Sequence, residues 1–567
     1  MLTRDRVRLD ADVYYPDAEG TFPVLLMRQP YGRAIASTVV YAHPAWYAAH
    51  GYMVVIQDVR GRGTSEGEFR LFRHEINDGA DTVAWAAQLP QSSGQVGMYG
   101  FSYQGMTQLY GAQTRPEALK AIAPAMVGYD IYRDWAYENG ALLLQAGLGW
   151  AIQLAAETAR LKGDREAYQA LFAASRQLPL SDPNPACPEV LKRYAPDSFF
   201  HDWVTHPYPD AYWQALMPDL SEVDLPMLHI GGWFDPYLRG NIRLFQHGVK
   251  QAVEQTVEGR DRDPSLHHLW IGPWAHIPWG RKVGQRDFGA AAESPIDRLQ
   301  VRWFDHHLKQ PDPDLAAAPP VHLFEMGSDR WQDFPRWPAG DALTYWLRSS
   351  GLATLQHSDG ELVTAPATRA EPQSDLPDYI VHDPWRPAPA LGGHSASPSG
   401  SFDRSAFDCR SDLATYTSEP LLMPLAIAGE VSAQIYCSAD APSFDLSVVL
   451  SEVYPNGRVY NLTQGYVRLQ QSAVLPVNVP LQPTCFRVPP GNCIRLTIGA
   501  ACFPAYDVNP GFVADLPVPN LSAPDLPGPP PASPAPAIAT KTMDAKIITL
   551  AIYHSYHYPS QLKLTAQ

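Results

Sequence analysis

Apolar residues in the first third of the chain alternate between two textures. In "VRLDADVYY" (7–15) Val7, Leu9, Ala11, Val13 and Tyr15 take every second position, the period of a half-buried strand. "FPVLLMRQPY" (22–31) and "YMVVIQD" (52–58) are unbroken apolar runs that end in polar turns, as strands covered on both faces do. "DGADTVAWAAQL" (78–89) has helical spacing. A short strand "QVGMY" (95–99), a helix "GMTQLYGAQ" (105–113) and a strand "KAIAPAM" (120–126) follow. Strand and helix in this alternation predict an α/β fold with a doubly wound, mostly parallel sheet.

The pattern then changes twice. From about 127 to 220 it is helical and aromatic-rich without buried strand runs, which predicts a helical insertion. Strand signals return at "LPMLHIGGWFD" (225–235) and "LHHLWIGPWAH" (266–276), each read as an apolar run closed by a glycine-containing turn and a titratable residue. "PIDRLQVRWFDHHLK" (295–309) is a helix. Beyond about 345 alternation and proline dominate, and 424–439, 444–454 and 493–503 read as strands of an antiparallel sandwich. The stretch 516–537 is a proline-rich surface loop. The organisation expected is a doubly wound α/β domain (1–125 and 221–345), a cap (126–220) and a β-domain (346–567).

A chain of 567 residues needs several domains, and 45% hydrophobic with 11% aromatic residues suits large cores. A net charge of −16 with no basic run argues against nucleic acid as a partner. The opening "MLTRDRVRLDADVYY" is charged throughout, unlike a signal peptide, and "ALLLQAGLGWAIQLAA" (141–156) is too short to span a bilayer. No membrane association is expected. The six cysteines form no Cys-x-x-Cys pair, which points to reduced thiols in a cytoplasmic protein. Spacing leaves a disulfide among the last five open.

The candidate chemistry centres on "GMYGFSYQGM" (97–106). A nucleophile elbow reads Gly-x-Ser-x-Gly. Here Gly100 stands two before Ser102, but Gly105 comes one position late. Taken alone the match is weak. Its place between a short strand and a helix is where such an elbow must lie, with the helix amino terminus aimed at the hydroxyl. Asp235 and His276 each end a later buried strand, and serine, acid, histidine is the chain order of doubly wound hydrolases. Read singly, Asp235 is as well explained as a helix cap and His276 as a core histidine; their joint placement selects them. His229 lies inside a strand and faces a core layer.

These residues sit in a longer set of motifs: "RDRVRLDADVYYP", "MRQPYGR", "QDVRGRGTSEGEF", "GMYGFSYQGM", "HIGGWFDPY", "IGPWAH", "RWFDHHLK" and "FEMGSDRWQDFPRWP", then "EVSAQIYCSADAPSFDLSVVLSEVYPNGR" and "HYPSQLKL". Together they resemble the cocaine esterase and Xaa-Pro dipeptidyl-peptidase hydrolases, a family whose nucleophile motif has its second glycine at plus three. The resemblance implies Ser102 as nucleophile, Asp235 and His276 as its acid and base, and a jelly-roll (galactose-binding-like) carboxyl domain. It also implies an oxyanion hole made by the backbone N–H of Tyr103 and the hydroxyl of Tyr31, and an acyl pocket lined by Trp135, Trp150 and Tyr237. No metal or cofactor is implied.

Two departures bear on the substrate. "DPYL" after Asp235 lacks the acidic residues with which amino acid ester hydrolases of the family hold an amine. The extra amino-terminal domain of some dipeptidyl-peptidases is also absent from this sequence. The expectation is a serine hydrolase that cleaves a small-molecule ester, less readily an amide, of a largely apolar acyl group. Dipeptidyl-peptidase or β-lactam acylase activity is the alternative, and an inert carbohydrate-binding protein the distant one. The sequence leaves the oligomeric state open, a homodimer included.

Overall fold

The computed structural model describes residues 1–182, 184–257, 266–368, 376–512 and 544–567. The expected proline-rich loop at 516–537 lies outside them. The amino-terminal part opens with β1 (Ala11–Tyr14), β2 (Phe22–Gln29), α1 (Pro44–Ala49), β3 (Met53–Asp58), α2 (Glu75–Ala87), β4 (Ser92–Phe101), α3 (Tyr103–Gln113) and β5 (Leu119–Ala125). A two-stranded ribbon, β6 (Tyr137–Glu138) and β7 (Ala141–Leu142), leads into α4 (Leu144–Lys162), α5 (Arg165–Arg176), α6 (Glu189–Tyr194), α7 (Phe199–Thr205) and α8 (Ala211–Gln214). The chain then returns to the sheet with β8 (Met227–Phe234), α9 (Leu238–Val257) and β9 (His267–Ala275). After a second ribbon, β10 (Lys282–Val283) and β11 (Arg286–Asp287), come α10 (Ile296–Leu308), α11 (Pro313–Ala316), β12 (Val321–Glu325) and β13 (Arg330–Phe334).

Nine of these strands form one sheet in the order β1-β3-β2-β4-β5-β8-β9-β12-β13. Only the edge strands β1 and β13 run antiparallel to their neighbours. Every residue of β3 and β8 is buried, as helices on both faces require. The strand expected over 7–15 is shorter, because the preceding segment folds back on itself. Thr3 N–H donates to the Val7 carbonyl, Leu9 N–H to that of Met1, and Leu2 bridges Arg8.

The glycines expected in turns after β8 and β9 lie within the strands. A Cβ on Gly232 would stand 2.4 Å from the Trp274 carbonyl oxygen, so glycine permits the close approach of two neighbouring strands. The late glycine of the serine motif has a similar cause. A Cβ on Gly105 would meet Val127 Cγ1 at 2.3 Å and the Ala125 carbonyl oxygen at 3.0 Å, where α3 crosses the end of β5. Gly105→Ala is therefore expected to destabilise the protein by about 1–3 kcal/mol through overpacking. A lowered apparent melting temperature at unchanged secondary structure checks this; an unchanged one would mean the crossing yields.

The carboxyl part is β-rich. Eleven strands, from Asp341–Arg348 to Gln561–Ala566, join in one hydrogen-bonded network among the described residues. The change of sheet falls between Phe334 and Asp341, a few residues before the expected boundary at 345, because Asp341–Arg348 already pairs with Gln561–Ala566. The two parts share a core: Phe324 and Met326 belong to one apolar cluster with Phe486 and Val488. Glu325 beside them accepts two bonds from Arg487, both at 3.0 Å.

Glu138 forms a second link. Its carboxylate bonds His394 Nε2 at 2.7 Å and the Tyr506 hydroxyl at 2.5 Å, and pairs with Arg239 at 3.4 Å. Burial works against its charge, but His394, Arg239 and Tyr506 outweigh that and hold the carboxyl at about 2. All six cysteines are free thiols, which closes the question of a disulfide.

Candidate active site

Ser102 occupies the turn between β4 and α3, with φ +60° and ψ −127°. A non-glycine residue held there costs of order 1–3 kcal/mol and persists only where its surroundings fix it. They do so here. Ser102 N–H donates to the Ala125 carbonyl at the end of β5, and the Ser102 carbonyl accepts the first helical bonds from Gly105 and Met106. The side chain sits at the amino end of α3, where unpaired N–H groups and the helix dipole favour negative charge. It is nearly buried.

Asp235 follows β8 directly. Its carboxylate is fully buried, Oδ1 lies 2.8 Å from His276 Nδ1, and Oδ2 has no hydrogen-bond partner among the described residues. His276 follows β9, the strand next to β8, so two adjacent carboxyl ends deliver the pair. The imidazole is held between Phe101, at 5.4 Å between ring centroids, and Tyr237, at 5.0 Å and nearly perpendicular. Phe101 precedes Ser102, which sets the serine turn against the imidazole. His229 lies fully buried within β8, 3.3 Å from His267, away from this group as expected.

Tyr31 follows β2, and its hydroxyl accepts a 3.1 Å bond from the Trp150 indole N–H. Burial pushes the phenol up to about 12, although hydrogen bonds with Trp150 and Ser102 pull the other way. At neutral pH it is a proton donor. Tyr103 opens α3 with its backbone N–H beside Ser102. Its phenol points elsewhere and donates to Glu75 at 2.8 Å. Glu75 in turn holds Arg28 at 2.6 Å, and Arg28 donates to Gln57. Sequence reasoning missed this buried network. The available signal was a charged residue inside the apolar run "VLLMRQ".

Trp135, Trp150 and Tyr237 come together as one aromatic wall. Trp135 lies 4.4 Å from Tyr237 and 5.5 Å from Trp150 between ring centroids. Phe199 of α7 extends it, 5.0 Å from Trp150, and was not anticipated. The nearby acids are already engaged: Asp134 pairs with Arg243, and Glu138 with the groups above. A separate groove of about 1190 Å³ runs between residues 61–73 and the helices of the insertion; Arg62, Leu154 and Phe199 line it, not Ser102, Asp235 or His276. Among the described residues no helix is long and apolar enough to cross a membrane.

The family described as X-Pro dipeptidyl-peptidase (S15 family) matches residues 5–278, and the X-Pro dipeptidyl-peptidase C-terminal non-catalytic domain matches residues 314–520. Cocaine esterase of Rhodococcus sp. (strain MB1 Bresler) is 32% identical over 539 residues, covering 89% of this chain and 90% of the relative. A putative serine esterase of Mycobacterium bovis is 24% identical, covering 90% of each. Among solved structures, an aminopeptidase from a marine sediment Thaumarchaeota archaeon superposes with a TM-score of 0.78 at 23% identity, covering 99% of this chain and 95% of that one. An α-amino acid ester hydrolase does so with 0.74 at 21%, covering 100% and 95%. The α/β-hydrolase architecture with a separate β-rich carboxyl domain is thus shared over nearly the whole length, and the chain belongs to the X-Pro dipeptidyl-peptidase (S15) family of serine hydrolases, with cocaine esterase among its relatives.

Proposed function

We propose that the protein cleaves carboxylic esters of largely apolar acyl groups through an acyl-enzyme on Ser102. The observation that carries this reading is the 2.8 Å bond between His276 Nδ1 and the buried Asp235 carboxylate, at the strand ends beside the strained Ser102 turn. With Nδ1–H committed to Asp235, Nε2 is the basic nitrogen. It takes the Ser102 proton as Oγ attacks the ester carbonyl, and the negative charge moves to the carbonyl oxygen. The Tyr31 hydroxyl and the Tyr103 backbone N–H donate to that oxyanion. His276 then gives its proton to the departing alkoxide as the carbon–oxygen bond breaks. Water repeats the sequence on the acyl-enzyme: His276 takes its proton, hydroxide adds, and collapse returns the proton to Ser102 and frees the acid. Nucleophile, base and donors are all groups of the chain, so the reading needs no cofactor.

Trp135, Trp150 and Tyr237 supply an apolar, flat-sided wall suited to an aromatic or medium acyl chain. Asp134 and Glu138 are internally paired, so neither is left to bind a substrate ammonium. The name of the Rhodococcus relative supports the ester reading. A jelly-roll carboxyl domain, a helical cap formed by 126–220 and a cytoplasmic location belong to the same reading, the last supported by six unpaired thiols.

The test is a rate comparison on purified protein. Aromatic and medium-chain p-nitrophenyl esters are expected to react faster, by kcat/KM, than matched esters with a free α-amino group and than X-Pro anilides. Faster α-amino esters or anilides at neutral pH would transfer the reading to an aminoacyl or dipeptidyl substrate. No turnover of any of them, with no fluorophosphonate labelling, would sink the hydrolase reading.

A further inference from the structure

Trp150 makes a contact that a wall of an acyl pocket does not need. An indole N–H can only donate, so in the 3.1 Å bond the Tyr31 oxygen accepts. A phenol carries one proton. With a lone pair engaged by Trp150, the Tyr31 O–H is turned away from the indole. The direction of the indole is fixed independently of this bond. Its ring packs on Phe199 at 5.0 Å, Trp135 at 5.5 Å and Trp203 at 6.2 Å, all from the helical region between β5 and β8. A donor held by packing therefore orients a hydroxyl that follows β2, 119 residues away in sequence.

We infer that Trp150 is a positioning residue for the oxyanion hole: its N–H aims the Tyr31 hydroxyl at the developing oxyanion. The hydrogen bond also polarises the phenol, since a hydroxyl that accepts becomes a stronger donor. The inference rests on the reading of Tyr31 as an oxyanion donor. It makes the helical insertion part of the catalytic apparatus as well as a wall for the substrate.

The test separates the N–H from the ring. Replacing Trp150 by β-(3-benzothienyl)alanine keeps the bicyclic shape and removes the donor. The expected result is a fall in kcat of roughly 2- to 13-fold, the worth of one neutral hydrogen bond, with KM nearly unchanged on the best p-nitrophenyl ester. Tyr31→Phe alone is expected to lower kcat by roughly 10²- to 10³-fold, as loss of one oxyanion donor does. In the Tyr31→Phe background the isostere should then change nothing further, since the oxygen it served is gone. An equal loss in both backgrounds, or a change confined to KM, overturns the inference and leaves Trp150 a packing residue. A silent Tyr31→Phe overturns the donor reading itself, and the inference with it. Trp150→Phe, which loses both ring area and N–H, should raise KM as well as lower kcat.

Discussion

Ser102→Ala is expected to lower kcat by roughly 10⁴- to 10⁶-fold and to abolish labelling by a fluorophosphonate probe. Position matters here as much as identity. A serine hydroxyl is a poor nucleophile unless a base removes its proton and the product charge is received. Ser102 has both provisions within one turn: the His276 imidazole packed on neighbouring Phe101, and the amino terminus of α3. Folding should survive, because alanine meets the same cost at φ +60° as serine does and the backbone bonds of the turn use no side-chain atom. A melting curve matching that of the wild type would exclude unfolding as the cause of the loss. His276→Ala should remove labelling nearly as completely, because the attacking oxygen then keeps its proton. Labelling that persists in Ser102→Ala, or a peptide map that finds the probe on another serine, would move the nucleophile elsewhere.

What was legible beforehand follows from how strongly each element is constrained. The buried parallel strands β2, β3 and β8 announce themselves because a strand covered on both faces has few polar positions, and the run length then marks its end. Asp235 and His276 stood out for the same reason, since each follows such a run, while Ser102 was marked by its place between a strand and a helix. Strands that depend on distant partners were not readable. The long strand Leu475–Val488 carries Pro476, Pro480 and Pro483, which propensity disfavours. Among the described residues its long ladder is with Leu425–Ala439, and on the other side it is bridged only at Phe486, to Met326, beyond all three prolines, so no proline need donate on a second side. β12 and β13 hide in "VHLFEMGSDRWQDF", where charged residues interrupt the apolar pattern. Their signal is the pairing with β9 and with each other. Buried polar groups were the least legible of all. Glu138 meets His394 and Tyr506 across 256 and 368 residues, and Arg28 meets Glu75 across 47, so nothing local in the sequence names the partner. The bond from Trp150 to Tyr31 belongs to this class. The resemblance brought both residues forward, but the contact between them needed coordinates.

Asp235→Asn should reduce kcat by about 10⁴-fold, or about 5.4 kcal/mol of transition-state stabilisation, while leaving KM and the fold close to those of the wild type. The substitution preserves shape and burial and changes only what faces His276 Nδ1. A carboxylate can only accept, so it obliges Nδ1 to carry the proton and leaves Nε2 free to act as base. An asparagine amide can turn its NH₂ toward the ring instead. The imidazole then keeps its proton on Nε2, facing Ser102, where it cannot accept another. The amide also carries no charge, so the imidazolium formed in the transition state loses its buried counter-ion, in surroundings where that ion is worth more than in water. Both effects act on the chemical step and neither on substrate binding, so kcat and kcat/KM should fall together. The rate of fluorophosphonate labelling, which needs the same proton transfer, should fall in parallel. The competing account makes Asp235 a cap for α9. That account has little support in the hydrogen bonds, since the side chain bonds His276 and it is the Asp235 backbone carbonyl that accepts from Leu238. It also predicts a different outcome: a lowered melting temperature with kcat kept within about tenfold, a cost below about 1.4 kcal/mol. Measuring kcat, labelling rate and melting temperature on the one variant decides between them.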